Sequence, residues 1–199
     1  MGEIARRLVH ASGVAIPGIY LIELVTWDQL RILLVLGFLI ALSLEWIRLR
    51  IGLDWWIYEH LTRPYEAETF AGYGYYMVSI TIVGLLFEPE VAIPGMLMLM
   101  LGDPISGYLG SGEFERVKAP IAIIGMFLVG LVVTMPFAID ILGTIGLALL
   151  ASVLAAGAGT IADAVKPTFG SFVVDDNLTI PIFSAAILWG AYRYFPLLA

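Results

Sequence analysis

The sequence predicts an all-α fold: a polytopic membrane bundle of about seven transmembrane helices, forming one domain over residues 1–199 with a cytoplasmic N-terminus. Three observations lead there. Of the 199 residues, 60% are hydrophobic and only 14% charged, whereas a soluble domain is roughly half apolar and about a quarter charged. The apolar residues fall into stretches near the ~20 residues that a helix needs to cross a bilayer. The connections alternate between short turns and long polar loops, and the basic residues gather on one side.

Taken in order, the stretches are Leu8–Thr26, Ile32–Ile47, Phe70–Phe87, Val91–Leu101, Ala119–Ile139, Ile141–Ala162 and Leu178–Leu198. The fourth is short, which makes it a half-span or a helix ending within the membrane region. Pro17, Pro94 and Pro136 lie in or near these stretches, where proline kinks or starts helices. Ala151, Ala155 and Gly159 recur every fourth residue. Such a small-residue face suits close packing, either within one chain or in a homo-oligomer.

The Lys and Arg distribution orients the bundle. Seven crossings from a cytoplasmic N-terminus place Arg6, Arg7, Arg48, Arg50, Arg63, Arg116, Lys118 and Lys166 inside, with only Arg31 and Arg193 outside. The outer turns carry Asp28, Glu88, Glu90 and Asp140. The longer inner loops, Arg48–Thr69, Gly102–Lys118 and Asp163–Asn177, carry Asp54, Glu59, Glu66, Glu68, Asp103, Glu113, Glu115, Asp163, Asp175 and Asp176. The long polar connections mark the cytoplasmic face as the working face.

Composition excludes several function classes. There is no cysteine, hence no disulfide, Cys-ligated metal or thiol catalysis. Two histidines make a His-rich metal site unexpected, and a net charge of −7 argues against nucleic acid as partner. The first apolar stretch has no small-residue cleavage pattern, so no cleaved leader is expected.

Four stretches on the working face carry chemistry. "MLGDPISGYLGSGEFERVKAP" (Met100–Pro120) reads most simply as a helix start, with Asp103 as N-cap and Pro104 as first residue. Its Gly107, Gly110 and Gly112 also let backbone approach a ligand closely, and Lys118 adds a cation. Glycines, lysine and a carboxylate suit a nucleotide phosphate with Mg²⁺, although no GxxxxGK[ST] sequence is present. "IADAVKPTFGSFVVDDNLT" (Ile161–Thr179) holds Asp163, Lys166, Gly170, Ser171, Asp175, Asp176 and Asn177. Asp176 or Asn177 can cap the last helix with Asp175 in solvent. Two carboxylates and an amide exceed what one cap requires, and Mg²⁺ takes carboxylates together with phosphates and water.

"TRPYEAETFAGYGYY" (Thr62–Tyr76) presents Glu66 and Glu68 before interfacial tyrosines, which commonly act as membrane anchors. "EIARRLVHASG" (Glu3–Gly13) sets Arg6 and His10 one turn apart, with Arg7 adjacent. Trp46, Trp55, Trp56 and Tyr58 suit an interfacial belt. Glu45 stands apart, because a carboxylate at membrane depth is a functional candidate by default.

In this order, "RRLVH", "RPYEAETFAGYGYY", "LGDPISGYLG" and "DDNLTIPI" make nearly the whole chain resemble the CTP-dependent polyprenol kinases. That family includes dolichol and phytol kinases and is related to the phosphatidate cytidylyltransferases. Family members often carry Gly-Lys-Ser and then Glu-Gly after the Gly-Asp motif; "VKAPIAIIG" keeps only the lysine.

The resemblance implies transfer of the γ-phosphoryl group of CTP to the hydroxyl of a polyprenol- or dolichol-type isoprenoid alcohol. It implies Mg²⁺ at Asp103 and Asp176, assisted by Asp175 or Asn177, and phosphate contact by Lys118. Gly102, Gly107, Gly110 and Lys166 would join Lys118 around the nucleotide. Asp163 would receive the hydroxyl proton, with Glu66 as its rival. Arg6, His10, Glu45 and Glu68 are further candidates. The nearest alternative is a cytidylyltransferase that makes a CDP-activated lipid (CDP-archaeol or CDP-diacylglycerol) and releases pyrophosphate. A transporter would need acids along a path through the bilayer, whereas here they cluster on one face. A purely structural scaffold is the remaining alternative.

Overall fold

The computed structural model describes residues 3–52, 55, 58, 62, 66, 68–110, 117–169 and 172–195, with the side chains of 3–6, 168, 169, 172 and 173 outside that set. Asp54, Trp56, Glu59, Arg63, Gly112, Glu113, Glu115, Arg116, Gly170 and Ser171 lie outside the described residues, as does the side chain of Arg6.

The described chain is almost wholly helical. The first apolar stretch is not one helix but two, α1 (Glu3–Ser12) and α2 (Ala15–Leu21). Gly13 separates them. Any side chain there would collide with the hydroxyl of Tyr76, so the break admits a tyrosine from another helix. At ~1.5 Å per residue neither piece alone spans a bilayer.

α3 (Trp27–Trp46) starts earlier than the hydropathy suggests because Thr26 and Gln29 form a reciprocal capping box. It continues as a π-turn over Ile47–Ile51, and Gly52 stops it at φ +72°, where glycine carries no Cβ penalty. α4 (Gly72–Leu86) follows.

The fourth stretch is longer than expected. α5 (Pro89–Leu97), a π-turn (Met98–Gly102) and α6 (Asp103–Leu109) form one apolar run of 21 residues. Gly102 and Asp103 both keep right-handed helical dihedrals, and no side-chain bond caps α6. Asp103 is therefore not an N-cap, and its carboxylate is left for other partners. In the i→i+5 register the carbonyl of Leu99 would look to the N–H of residue 104, and Pro104 has none. His10 lies there instead, its Nε2 3.2 Å from the Leu99 oxygen.

α7 (Pro120–Leu142) and α8 (Ile145–Ala164) form a tight hairpin through Gly143, again left-handed at φ +66°. A small antiparallel ladder not anticipated by the sequence reading, β1 (Thr168–Phe169) with β2 (Phe172–Val173), leads into α9 (Asp176–Tyr194).

Among the described residues, four helices are long and apolar enough to cross a membrane: Trp27–Ile51, Pro89–Leu109, Pro120–Leu142 and Ile145–Ala164. Of the most apolar 18 residues in each, 67% are buried in the second against 22%, 28% and 44% in the others, which makes Pro89–Leu109 the central helix. Around it, outward Leu36, Ile40, Ile124, Leu128, Val132 and Leu149 leave an apolar exterior compatible with lipid. The small-residue face of α8 is used within the chain: Ala151 and Ala155 are buried, and Gly159 accommodates Met98 of the central helix.

Candidate functional site

Three carboxylates from three helices meet at one end of the central helix. Asp103 opens α6, Asp163 ends α8 and Asp176 begins α9, and each brings an oxygen within 4.8 Å of the others. Asp163 and Asp176 are buried and Asp103 is half-buried.

Backbone pairing delivers the counter-charge. Val117 bridges Val165, and the Lys118 N–H donates to the Ala164 carbonyl at 3.2 Å, which lays the start of α7 along the end of α8. Lys118 Nζ is thereby set 2.6 Å from Asp163 Oδ1, 3.4 Å from Asp103 Oδ1 and 4.0 Å from Asp176 Oδ2. Burial alone would lower the pKa of Lys118, but the three carboxylates outweigh it and raise the value, so the ammonium form is held. Lys166 Nζ pairs with Asp176 Oδ2 at 2.9 Å.

Ser106 completes the inner contacts and was not singled out from the sequence. Buried one turn beyond Asp103, its hydroxyl donates to Asp163 Oδ2 at 2.6 Å and accepts from Lys118 Nζ at 3.2 Å. The i,i+3 spacing from Asp103 was the available signal. Arg7 and His10 show the same spacing on α1. His10 Nε2 stands 3.9 Å from Asp103 Oδ2, and its ring packs edge-on against Tyr76.

The glycines of this region separate by role. Gly102 is buried against Met126, so its missing side chain serves packing, not a ligand. Gly107 makes room for the guanidinium of Arg7, whose atoms would lie 3.3 Å from a Cβ at that position. Gly110 ends α6 and stays half-exposed, with only ordinary contacts around it.

A second polar cluster sits beside the first, where α3, the segment before α4 and the start of α9 meet. Asp175, not Asp176 or Asn177, caps α9. Its Oδ1 accepts from the Asn177 N–H at 2.9 Å and from Asn177 Nδ2 at 2.7 Å. That role takes Asp175 outside the carboxylate trio.

Glu45, buried at the end of α3, accepts from Arg48 at 2.8 and 3.0 Å and from the Ala71 N–H at 3.1 Å. Arg48 in turn donates to the carbonyls of Glu66, at 2.9 Å, and Thr69, at 2.5 Å. The carboxylate at membrane depth is thus a clamp that fixes the loop before α4. Glu66 is buried, with Oε1 3.3 Å from the Gly72 N–H, while Glu68 is exposed.

The set of groups defines what the trio can do. Hard oxygen donors close together, with two lysines alongside and no sulfur, suit a hard divalent cation and anionic oxygens. Comparison of the chain with protein-family models, curated proteins and solved structures finds no match to any of them.

Proposed function

We propose that the chain is a membrane-embedded lipid kinase that moves the γ-phosphoryl group of CTP to the hydroxyl of a polyprenol- or dolichol-type isoprenoid alcohol, the activity its resemblance implies. The observation that carries this reading is the meeting of Asp103, Asp163 and Asp176 around Lys118, with Lys166 alongside, at the end of an apolar helix bundle. Phosphoryl transfer asks chiefly for positioning and charge neutralisation, and those are what this constellation offers. An isoprenoid tail must stay in lipid while its hydroxyl meets a charged nucleotide. A polar site at the rim of an apolar bundle joins the two.

In this reading Asp103 and Asp176 hold Mg²⁺, which neutralises the nucleotide phosphates when bound. Lys118 and Lys166 contact phosphate oxygens. The alcohol oxygen bonds to the γ-phosphorus as the bond to the leaving CDP breaks, and the hydroxyl proton passes to Asp163, which Ser106 orients. The N-terminal stretch supports seven traverses despite its break. His10 lies at the level of Asp103, while Tyr20 packs on Trp27 at the far end of α3. In this reading the N-terminus and the trio share one side, taken as cytoplasmic from the basic residues.

The test is product analysis with purified protein in detergent, Mg²⁺, isoprenoid alcohols and CTP labelled separately at the α and γ phosphorus. The kinase places γ-label in the lipid and leaves α-label in CDP. A CDP-lipid carrying α-label, with release of pyrophosphate, would establish the cytidylyltransferase instead.

A further inference from the structure

A carbonyl in an α-helix accepts from the N–H four residues further on. α9 contains Pro181 near its start, and the carbonyl that falls to this proline is that of Asn177. Proline has no N–H to give, and its ring crowds that oxygen. Asn177 is buried, at 6% exposure, and a buried carbonyl needs a partner. The donor comes from another helix. Ser79 of α4, fully buried and 98 positions earlier, places Oγ 2.6 Å from the Asn177 oxygen. A serine hydroxyl has one proton to donate. The other acceptor in reach, the Tyr76 carbonyl at 3.0 Å, lies inside α4, whose own ladder serves it. The shorter contact, to the oxygen that proline leaves without an amide, takes the proton.

That same turn carries Asp176. Asp176 Oδ2 reaches Lys166 Nζ at 2.9 Å and Lys118 Nζ at 4.0 Å, from a side chain that is 3% exposed. The Asp175 cap holds the turn to itself: its Oδ1 accepts from the Asn177 N–H at 2.9 Å, and its carbonyl accepts from the Leu178 N–H at 3.1 Å. Both bonds stay within the turn. Toward the central helix the fit is steric, since a Cβ on Gly95 would meet the Pro181 oxygen at 3.0 Å and Ala185 Cβ at 3.3 Å. The Ser79 bond ties the turn to α4.

We infer that Ser79 is a positioning residue for Asp176: its hydroxyl stands in for the N–H that Pro181 lacks, and so fixes the turn from which Asp176 reaches the lysines. It acts through the Asn177 backbone and not on a substrate. The metal role of Asp176 rests on the phosphotransferase reading above; the tie between Ser79 and Pro181 does not.

Four forms of the full chain in detergent test this: wild type, Ser79→Ala, Pro181→Ala and the double variant. Pro181→Ala restores an N–H at position 181, so the helix itself can serve the Asn177 carbonyl, and alanine suits a helix interior far better than proline. Two readouts follow the carboxylate. One is Mn²⁺ affinity in the presence of CTP, by electron paramagnetic resonance; the other is the rate of acylation at Lys166, by mass spectrometry. Ser79→Ala should weaken Mn²⁺ binding by about tenfold, the lower end of what lost support behind a metal ligand costs. It should also speed acylation of Lys166, as the paired carboxylate shifts. Pro181→Ala should leave both near wild type, and the double variant should match Pro181→Ala. A serine that merely filled space would not be replaced by an amide on another helix.

Wild-type values in folded Ser79→Ala, or a double variant as impaired as Ser79→Ala, would overturn the inference. Where Ser79→Ala alone does not fold, a double variant that folds and matches Pro181→Ala supports it. A double variant that stays unfolded although Pro181→Ala folds overturns it. A folded wild type that binds no Mn²⁺ removes the metal reading, and the Lys166 rates then decide the role of Ser79 by themselves.

Discussion

Lys118 Nζ stands 2.6 Å from Asp163 Oδ1, joining a loop to a helix end 45 residues further along the chain. Asp163 is fully buried and Asp176 nearly so, and this ammonium is what lets the carboxylates share one place. Removing one partner of a buried ion pair leaves an uncompensated charge. Lys118→Met should therefore lower stability by about 3–5 kcal/mol, measured as denaturant unfolding in detergent. A loss below about 1 kcal/mol would be that of a solvent-screened pair and contradict the geometry.

The raised pKa of Lys118 gives its contribution a pH window. A basic group whose pKa rises on folding stabilises fully below its unfolded value, about 10.4 for lysine. That stabilisation is lost only as the pH climbs through the higher folded value. Thermal stability should thus show no Lys118-linked fall between about pH 8 and about pH 10. Acylation at Lys118, followed by mass spectrometry, should stay slow across that range. A stability drop accompanied by rapid Lys118 acylation would contradict this.

Arg48 and Glu45 form a second buried pair, 8% and 2% exposed, at the end of α3. Arg48→Met should cost about 3–5 kcal/mol, and adding Glu45→Gln should return part of that loss by removing the stranded charge. Additive losses in the double variant would mean that the two residues act separately.

Glycines of the bundle should divide by their surroundings. A Cβ at Gly130 meets Met98 at 2.7 Å and Ala156 at 2.9 Å, so Gly130→Ala should destabilise by about 1–3 kcal/mol. Gly157, on the same hairpin, has nothing within 4 Å. Gly157→Ala should be neutral or gain up to about 1 kcal/mol. Equal effects at both positions would contradict the packing of α7 against α8.

What the sequence disclosed follows from the range over which each signal acts. Apolar length located the helices of the bundle, because lipid contact is a property of whole segments. The breaks and extensions were not legible. Gly13 breaks α1 from α2 because Tyr76, 63 positions away in sequence, occupies its side-chain space. The central helix runs past Gly102 and Asp103 through a π-turn, where His10 meets the Leu99 carbonyl. Asp103, Asp163, Asp176 and Lys118 stood out as carboxylates and a cation at helix ends. Their convergence depends on tertiary packing, as does the division of labour that makes Asp175 a cap and Glu45 a clamp. Ser106 was passed over because a serine carries no charge signal; its function is visible only from the Asp163 and Lys118 atoms around it.

In the proposed reaction the carboxylate trio holds a divalent cation for nucleotide phosphates. Titration of purified protein with Mn²⁺ in the presence of CTP, followed by electron paramagnetic resonance, tests it most directly. The expected result is one tightly bound Mn²⁺ per chain, with affinity falling at least about tenfold, or about 1.4 kcal/mol, in folded Asp176→Asn and Asp103→Asn. Saturable binding unchanged in both variants, or no bound Mn²⁺ at all in the folded wild type, would contradict it.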